Sequence, residues 1–257
     1  MTTSIELFFA GLISSILGSM VGLGGGFLLV PLLRLFFGFA PAEAAGTALA
    51  LVVANSGAGA FTYYLQRRVH VKIGLLIALG GFPGSIIGAV LVKFLSPQAF
   101  DWILAALLIS IAIDTVWRRS KSVAERADHA DVQTIDGMSP VAAIVAGLAV
   151  GLVSSLFGIG GGVIVVPTLL YFSTLPAHAI SATSHFAIAL TSPVGLITHA
   201  LQHDIRIGDV LALVLSGLIG GPIGARLSLK LKAKQLLYFV ATALVIMAFS
   251  LVIRHIT

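Results

Sequence analysis

Apolar runs of about 20 residues, long enough as helices to cross a hydrocarbon layer of roughly 30 Å, recur along nearly the whole chain. No other feature constrains the fold as much. Lipid offers the backbone no hydrogen bonds, so each spanning segment must satisfy its own amides and carbonyls. The runs predict an all-α polytopic membrane protein. Composition agrees: 58% of residues are hydrophobic and 10% charged, against about 25% charged in a soluble domain. The lipid bilayer is therefore the first partner.

The net charge of +5 does not point to nucleic acid, because the basic residues sit in short loops between apolar runs, where a membrane surface accounts for them. The chain has no cysteine, which excludes disulfides, thiolate metal sites and thiol chemistry. Residues Met1 to Glu6 carry no Lys or Arg and no cleavage-like site follows, so a removable signal peptide is not expected.

The chain repeats itself. Gly22-Leu-Gly-Gly-Gly26 with Pro31 returns as Gly158-Ile-Gly-Gly-Gly162 with Pro167, an offset of 136 residues. The same offset pairs Gly11 with Gly147, Thr47 with Thr183, Ser56 with Ser192, Thr62 with Thr198, Gln66 with Gln202 and Gly84 with Gly220. Residues 1–119 form a first repeat, 120–139 a polar linker and 140–257 a second repeat. Each repeat holds one glycine-interrupted segment (5–37; 141–173) and three uninterrupted ones (42–65, 73–94, 100–117; 178–201, 209–229, 236–253).

A straight helix of the interrupted segment's length would reach roughly 50 Å, well beyond the bilayer core. It is expected to fold back as a hairpin at the glycines, with Pro31 and Pro167 near the start of the returning half-helix. Each repeat then makes an odd number of crossings, and the second must lie inverted relative to the first. The 15 Lys and Arg residues test this. Inversion places 11 of them on one face, including Arg67, Arg68, Lys72, Arg118, Arg119, Lys121, Arg126, Arg226, Lys230, Lys232 and Lys234, and leaves Arg34, Lys93, Arg206 and Arg254 on the other. Straight threading gives a 9 to 6 division. The positive-inside rule favours inversion, with both termini outside and the linker cytoplasmic. Trp102, Trp117, Tyr63, Tyr64, Tyr171 and Tyr238 fall near segment ends and are expected as interfacial anchors.

The candidate substrate-binding residues begin with the glycines: Gly22, Gly24, Gly25 and Gly26, and Gly158, Gly160, Gly161 and Gly162. Broken helices in inverted repeats place half-helix N-termini near the midplane, where amides can hold an anion; close helix packing is the alternative use of such glycines. The uninterrupted segments add Thr47, Asn55, Ser56, Thr62 and Gln66, matched by Thr183, Thr191, Ser192, Thr198 and Gln202. Lining of a pathway and hydrogen-bonded glue between helices both remain open for these residues. The expected arrangement is two breaks facing each other across a central cavity lined by the polar stripes. His185 and His199 lie within an apolar run where the first repeat has Leu49 and Tyr63, and are candidates for coupling; a neutral ring bonded to a carbonyl is the plainer reading. No metal motif, cofactor site or catalytic constellation is visible, so a membrane enzyme or structural subunit ranks below a transporter. A passive anion channel is the main alternative, and homo-oligomerisation stays open.

The doubled Gly-x-Gly-Gly-Gly-x-x-x-x-Pro pattern, Gly22 to Pro31 and Gly158 to Pro167, in a duplicated polytopic chain resembles the TauE/SafE family of sulfite exporters, as do the pairs Asn55-Ser56 and Thr191-Ser192. The resemblance covers essentially the whole chain. It implies export from the cytoplasm, across a bacterial inner membrane, of sulfite, sulfonates or related small organosulfur anions by alternating access.

Overall fold

The computed structural model describes residues 2–117, 138–228 and 233–253. Most of the expected linker, including Lys121 and Arg126, lies outside the described residues, as do Arg118, Arg119, Lys230, Lys232, Arg254 and the side chains of Trp117, Lys234 and Tyr238. Among these residues ten α-helices follow in order: α1 (Thr2–Val21), α2 (Gly26–Leu35), α3 (Pro41–Leu65), α4 (Val71–Leu91), α5 (Pro97–Trp117), α6 (Pro140–Phe157), α7 (Gly162–Phe172), α8 (Ala177–Leu201), α9 (Ile207–Leu227) and α10 (Ala233–Ile253). There is no strand among the described residues. Helices α1, α3, α4, α6, α8 and α9 are long and apolar enough to cross a membrane.

Local chemistry sets the helix starts. Pro41 opens α3, where Glu43 Oε2 accepts the Ala40 amide at 3.1 Å, and Pro140 opens α6; proline suits a first turn, whose amides lack intrahelical partners. His70 Nδ1 accepts the Ile73 amide at 3.3 Å and caps α4.

The interrupted segments break where the glycines are. Gly24 and Gly25 have φ of +89° and +84°, and Gly160 and Gly161 of +88° and +62°, left-handed values that side chains resist. After each break comes a half-helix: α2 has 10 residues and α7 has 11, about 15 Å of rise, half a bilayer core. Pro31 and Pro167 occupy the sixth position of their half-helices, deeper than the first-turn place expected for them.

Close contacts give the helix directions. Gly220 lies against Leu12 and Ser15, and Gly224 against Ile16 and Ser19; Gly217 meets Leu51, and Gly221 meets Asn55. Helices α1, α3 and α9 therefore run the same way, so α2, between α1 and α3, returns toward the end where α1 began. In the same manner Gly80, Gly84 and Gly88 of α4 rest on Ile144, Leu148 and Leu152 of α6, and Gly81 meets Thr191 of α8. Helices α3 and α8 cross in opposite directions: the Arg206 amide, beyond α8, donates to Thr47 Oγ1 near the start of α3 (3.1 Å), and the His70 amide, beyond α3, donates to Thr183 Oγ1 near the start of α8 (3.0 Å).

These pairings rely on glycine because lipid supplies no hydrophobic drive between helices; contact energy comes from close backbone approach. Large apolar side chains such as Phe27, Leu29, Leu51, Ile77 and Phe100 fill the interior, while Ile86, Leu148, Leu215 and Phe249 are exposed, suiting a lipid surround. Tyr64, Tyr171 and Trp102 are exposed as interfacial anchors would be. Tyr63 is not one of them. It is fully buried because its hydroxyl is used internally, by the Ser19 carbonyl at 2.6 Å.

Candidate functional site

The two glycine breaks meet in the middle of the fold. Gly26 rests on the carbonyl of Gly158 and Gly162 on that of Gly22, and a Cβ placed on Gly24 would lie 3.2 Å from the Gly160 oxygen. The meeting point is level with the middle of α3, where Asn55 Nδ2 donates to the Gly24 carbonyl at 3.0 Å. A cavity was expected between the breaks; here the backbones touch, because without side chains nothing holds them apart. The amides of Gly24, Gly25, Gly160 and Gly161 have no acceptor among the described residues. Each break thus presents donors at a half-helix N-terminus, the positive end of its dipole.

A buried polar chain supports the first break. Ser19 Oγ donates its one proton to Asn55 Oδ1 at 2.9 Å, so it can only accept from His185 Nε2, 3.0 Å away. That fixes the ring proton on Nε2 and leaves His185 Nδ1 buried without a hydrogen-bond partner. From the second repeat, Ser184 Oγ donates to the Gly22 carbonyl at 2.8 Å. Asn55 and His185 thus hold the break in shape, and Asn55 has committed both ends of its amide to protein groups.

Four buried serines missing from the sequence-based candidates lie on α1 and α6, two of them at the breaks and two, Ser15 and Ser155, against Gly220 and Gly195. Ser14, Ser15, Ser154 and Ser155 are buried, and their hydroxyls make no hydrogen bond. Ser14 lies beside Gly25 and Ser154 beside Gly161. Buried unpaired hydroxyls cost stability, and beside the free amides those of Ser14 and Ser154 form a set of donors with no fixed positive charge. Such a set can bind a small anion without trapping it. The signal was present as polar interruptions in two apolar runs, but short serines there are equally common as inert small residues.

The remaining candidates disperse. Thr47 and Thr183 tie loops of the opposite repeat, as described above. Ser56, Ser192, Thr62, Thr191 and Thr198 bond back to carbonyls of their own helices. Gln66 accepts from Arg68 at one end of the fold (3.0 Å), and Gln202 donates to Ala89 at the other (3.3 Å). His199 Nε2 meets the Ser155 carbonyl at 2.9 Å, the plainer of its two sequence readings. Buried or half-buried ion pairs, Arg34 with Asp101 and Arg206 with Glu43 (2.9 Å), were not anticipated; no spacing rule links residues so far apart. Among the described residues no group of three His, Asp or Glu side chains could hold a metal.

Residues 7–251 match the family described as Sulfite exporter TauE/SafE. The chain is 29% identical to the Probable membrane transporter protein YunE of Bacillus subtilis, over 96% of this chain and 97% of that protein. It is 27% identical to a probable membrane transporter protein of Methanocaldococcus jannaschii, over 94% and 92%. A shorter stretch, 32% of this chain and 18% of the relative, is 37% identical to the Sulfite exporter TauE/SafE family protein 1 of Arabidopsis thaliana. A match over nearly the whole length, on a chain whose described residues hold six helices long and apolar enough to cross a membrane, makes this protein a membrane transporter of the TauE/SafE family.

Proposed function

We propose that the protein exports sulfite, sulfonates or related small organosulfur anions by alternating access, its two repeats lying inverted in the cell membrane with the linker cytoplasmic and both termini outside. The observation that carries this reading is the meeting of the two glycine breaks at mid-depth, where unpaired amides and serine hydroxyls converge. An oxyanion with several acceptor oxygens suits such donors, and the absence of a fixed cation there lets it leave. The crosswise ties, Arg206 to Thr47 and His70 to Thr183, support inversion, as does the 11 to 4 division of basic residues.

Backbone contact between the breaks favours a carrier over an open channel: the repeats must rock apart to admit a solute. An inside-negative potential drives anion exit by about 2.3 kcal/mol per charge per 100 mV. The test is flux from liposomes loaded with sulfite, sulfoacetate, taurine or sulfate, with and without an imposed potential. Saturable efflux of sulfite or a sulfonate, accelerated by solute on the far side, is expected. Non-saturating flux without that acceleration would replace the carrier by a channel, and movement of none of the four would end the substrate reading.

A further inference from the structure

The two ends of the fold differ in chemistry at one set of equivalent positions. In the first repeat the Tyr63 hydroxyl donates to the Ser19 carbonyl, and the Arg68 guanidinium lies 5.0 Å above the Tyr63 ring. The offset of 136 residues turns Tyr63 into His199, Ser19 into Ser155 and Arg68 into Asp204. His199 Nε2 lies 2.9 Å from the Ser155 carbonyl. A carbonyl only accepts, so that nitrogen carries the proton. The other nitrogen, Nδ1, faces Asp204 Oδ2 at 3.5 Å, and neither atom makes a hydrogen bond.

Two lone pairs therefore confront each other in a buried place, and one added proton would satisfy both. The His199 side chain is fully buried, whereas 13% of the Asp204 side chain is exposed, which gives a proton a route from water. The other charges nearby are few. Lys93, in the 3-10 turn just after α4, stands 3.6 Å from Asp204 Oδ1. Arg206 is engaged by Glu43 of α3 at 2.9 Å. His203 is exposed beside Asp204. Helix α6 presents the Ser155 carbonyl to the ring, and α3 presents Gly46 against it.

We propose that His199 and Asp204 form a proton-binding site, loaded from the face that carries the termini, whose occupancy couples transport to pH. The proton enters at Nδ1 and converts a repulsive contact into a charge-assisted bond to Asp204, drawing the carboxylate from Lys93. The charged ring is also a stronger donor to the Ser155 carbonyl, which tightens the existing tie of α8 to α6 three residues before the second glycine break. The opposite end cannot respond in this way, because Arg68 keeps its charge and Tyr63 is un-ionised near neutrality. The coupling rests on the transport reading; the proton site does not.

The experiment has two arms. In liposomes, flux of sulfite and of methanesulfonate, whose charge is independent of pH in this range, is measured from about pH 5 to 8, where imidazole ordinarily titrates. Wild-type flux of both probes is expected to vary by up to about tenfold per pH unit, the limit for one proton. His199→Tyr, which can keep the bond to Ser155 as Tyr63 does to Ser19, is expected to retain flux and flatten the profile. In the second arm, nitrogen-15 histidine spectra of the purified protein read ring protonation without any solute. A resonance that titrates in the wild type, disappears in His199→Tyr and shifts in Asp204→Asn is expected. A His199 ring that does not titrate, or flux from His199→Tyr with the wild-type pH profile, overturns the proposal. A ring that titrates in a protein moving neither probe removes the coupling for these solutes and leaves the proton site, while the substrate reading is decided separately by the four-solute flux assay.

Discussion

Arg34, near the end of the half-helix α2, grips both carboxylate oxygens of Asp101 on α5, through Nε at 2.8 Å and Nη2 at 2.6 Å. Both side chains are almost completely buried, and Arg34 Nη1 also donates to the Phe39 carbonyl at 2.6 Å. The pair pins the returning half-helix α2 to α5. Removing one partner leaves a buried charge, at a cost of about 3–5 kcal/mol. Arg34→Met and Asp101→Leu are each expected to lower the unfolding midpoint in detergent sharply. The double variant should recover most of the loss, since an apolar pair of similar volume can replace a buried ion pair.

Bulk at the breaks should stop transport without preventing folding. A Cβ at Gly25 would sit 3.1 Å from the Ser14 carbonyl and one at Gly161 would sit 2.8 Å from Val150, both at positive φ. Gly25→Val and Gly161→Val are expected to elute as folded protein on size exclusion and to lose sulfite flux. Gly38 is the control: its φ is +66°, but nothing lies within 4 Å. Gly38→Ala should cost only about 1–2 kcal/mol of backbone strain and keep its flux.

Thr47 and Thr183 should behave as ties between the repeats. Each valine replacement leaves one loop amide without its acceptor, costing about 1–3 kcal/mol. The two sites lie at opposite ends of the α3 and α8 crossing, so their losses should add. Unfolding midpoints of Thr47→Val, Thr183→Val and the double variant check this, with flux per folded molecule expected to stay near wild type. A selective loss of flux in either would return that threonine to the pathway.

Orientation can be read directly, because the chain has no cysteine and a single introduced one labels cleanly. A cysteine at Lys121 should be shielded from a membrane-impermeant reagent in intact cells, and one after Thr257 should be labelled. Labelling of both from the same side would refute the inverted arrangement.

By itself the sequence determined the membrane, the helices and the duplication. A run of apolar residues in lipid has little choice but to be helical, and a matched offset is visible without coordinates. It also located both breaks, since three successive glycines mark backbone that a continuous helix would not need. Tertiary structure decided what those residues touch. The breaks lie in contact, not across a cavity, because backbones without side chains can close on each other. Asn55 holds Gly24, and most of the hydroxyl stripe bonds back to its own helices, a choice that helical periodicity cannot reveal. The pairs Arg34 with Asp101 and His199 with Asp204 arise from distances that only folding closes; in the second, a loop returning on its own helix brings a carboxylate to a ring nitrogen. That Ser14 and Ser154 lie beside the breaks with unpartnered hydroxyls became visible only once the helices were packed, because sequence spacing does not tell which hydroxyls find an acceptor.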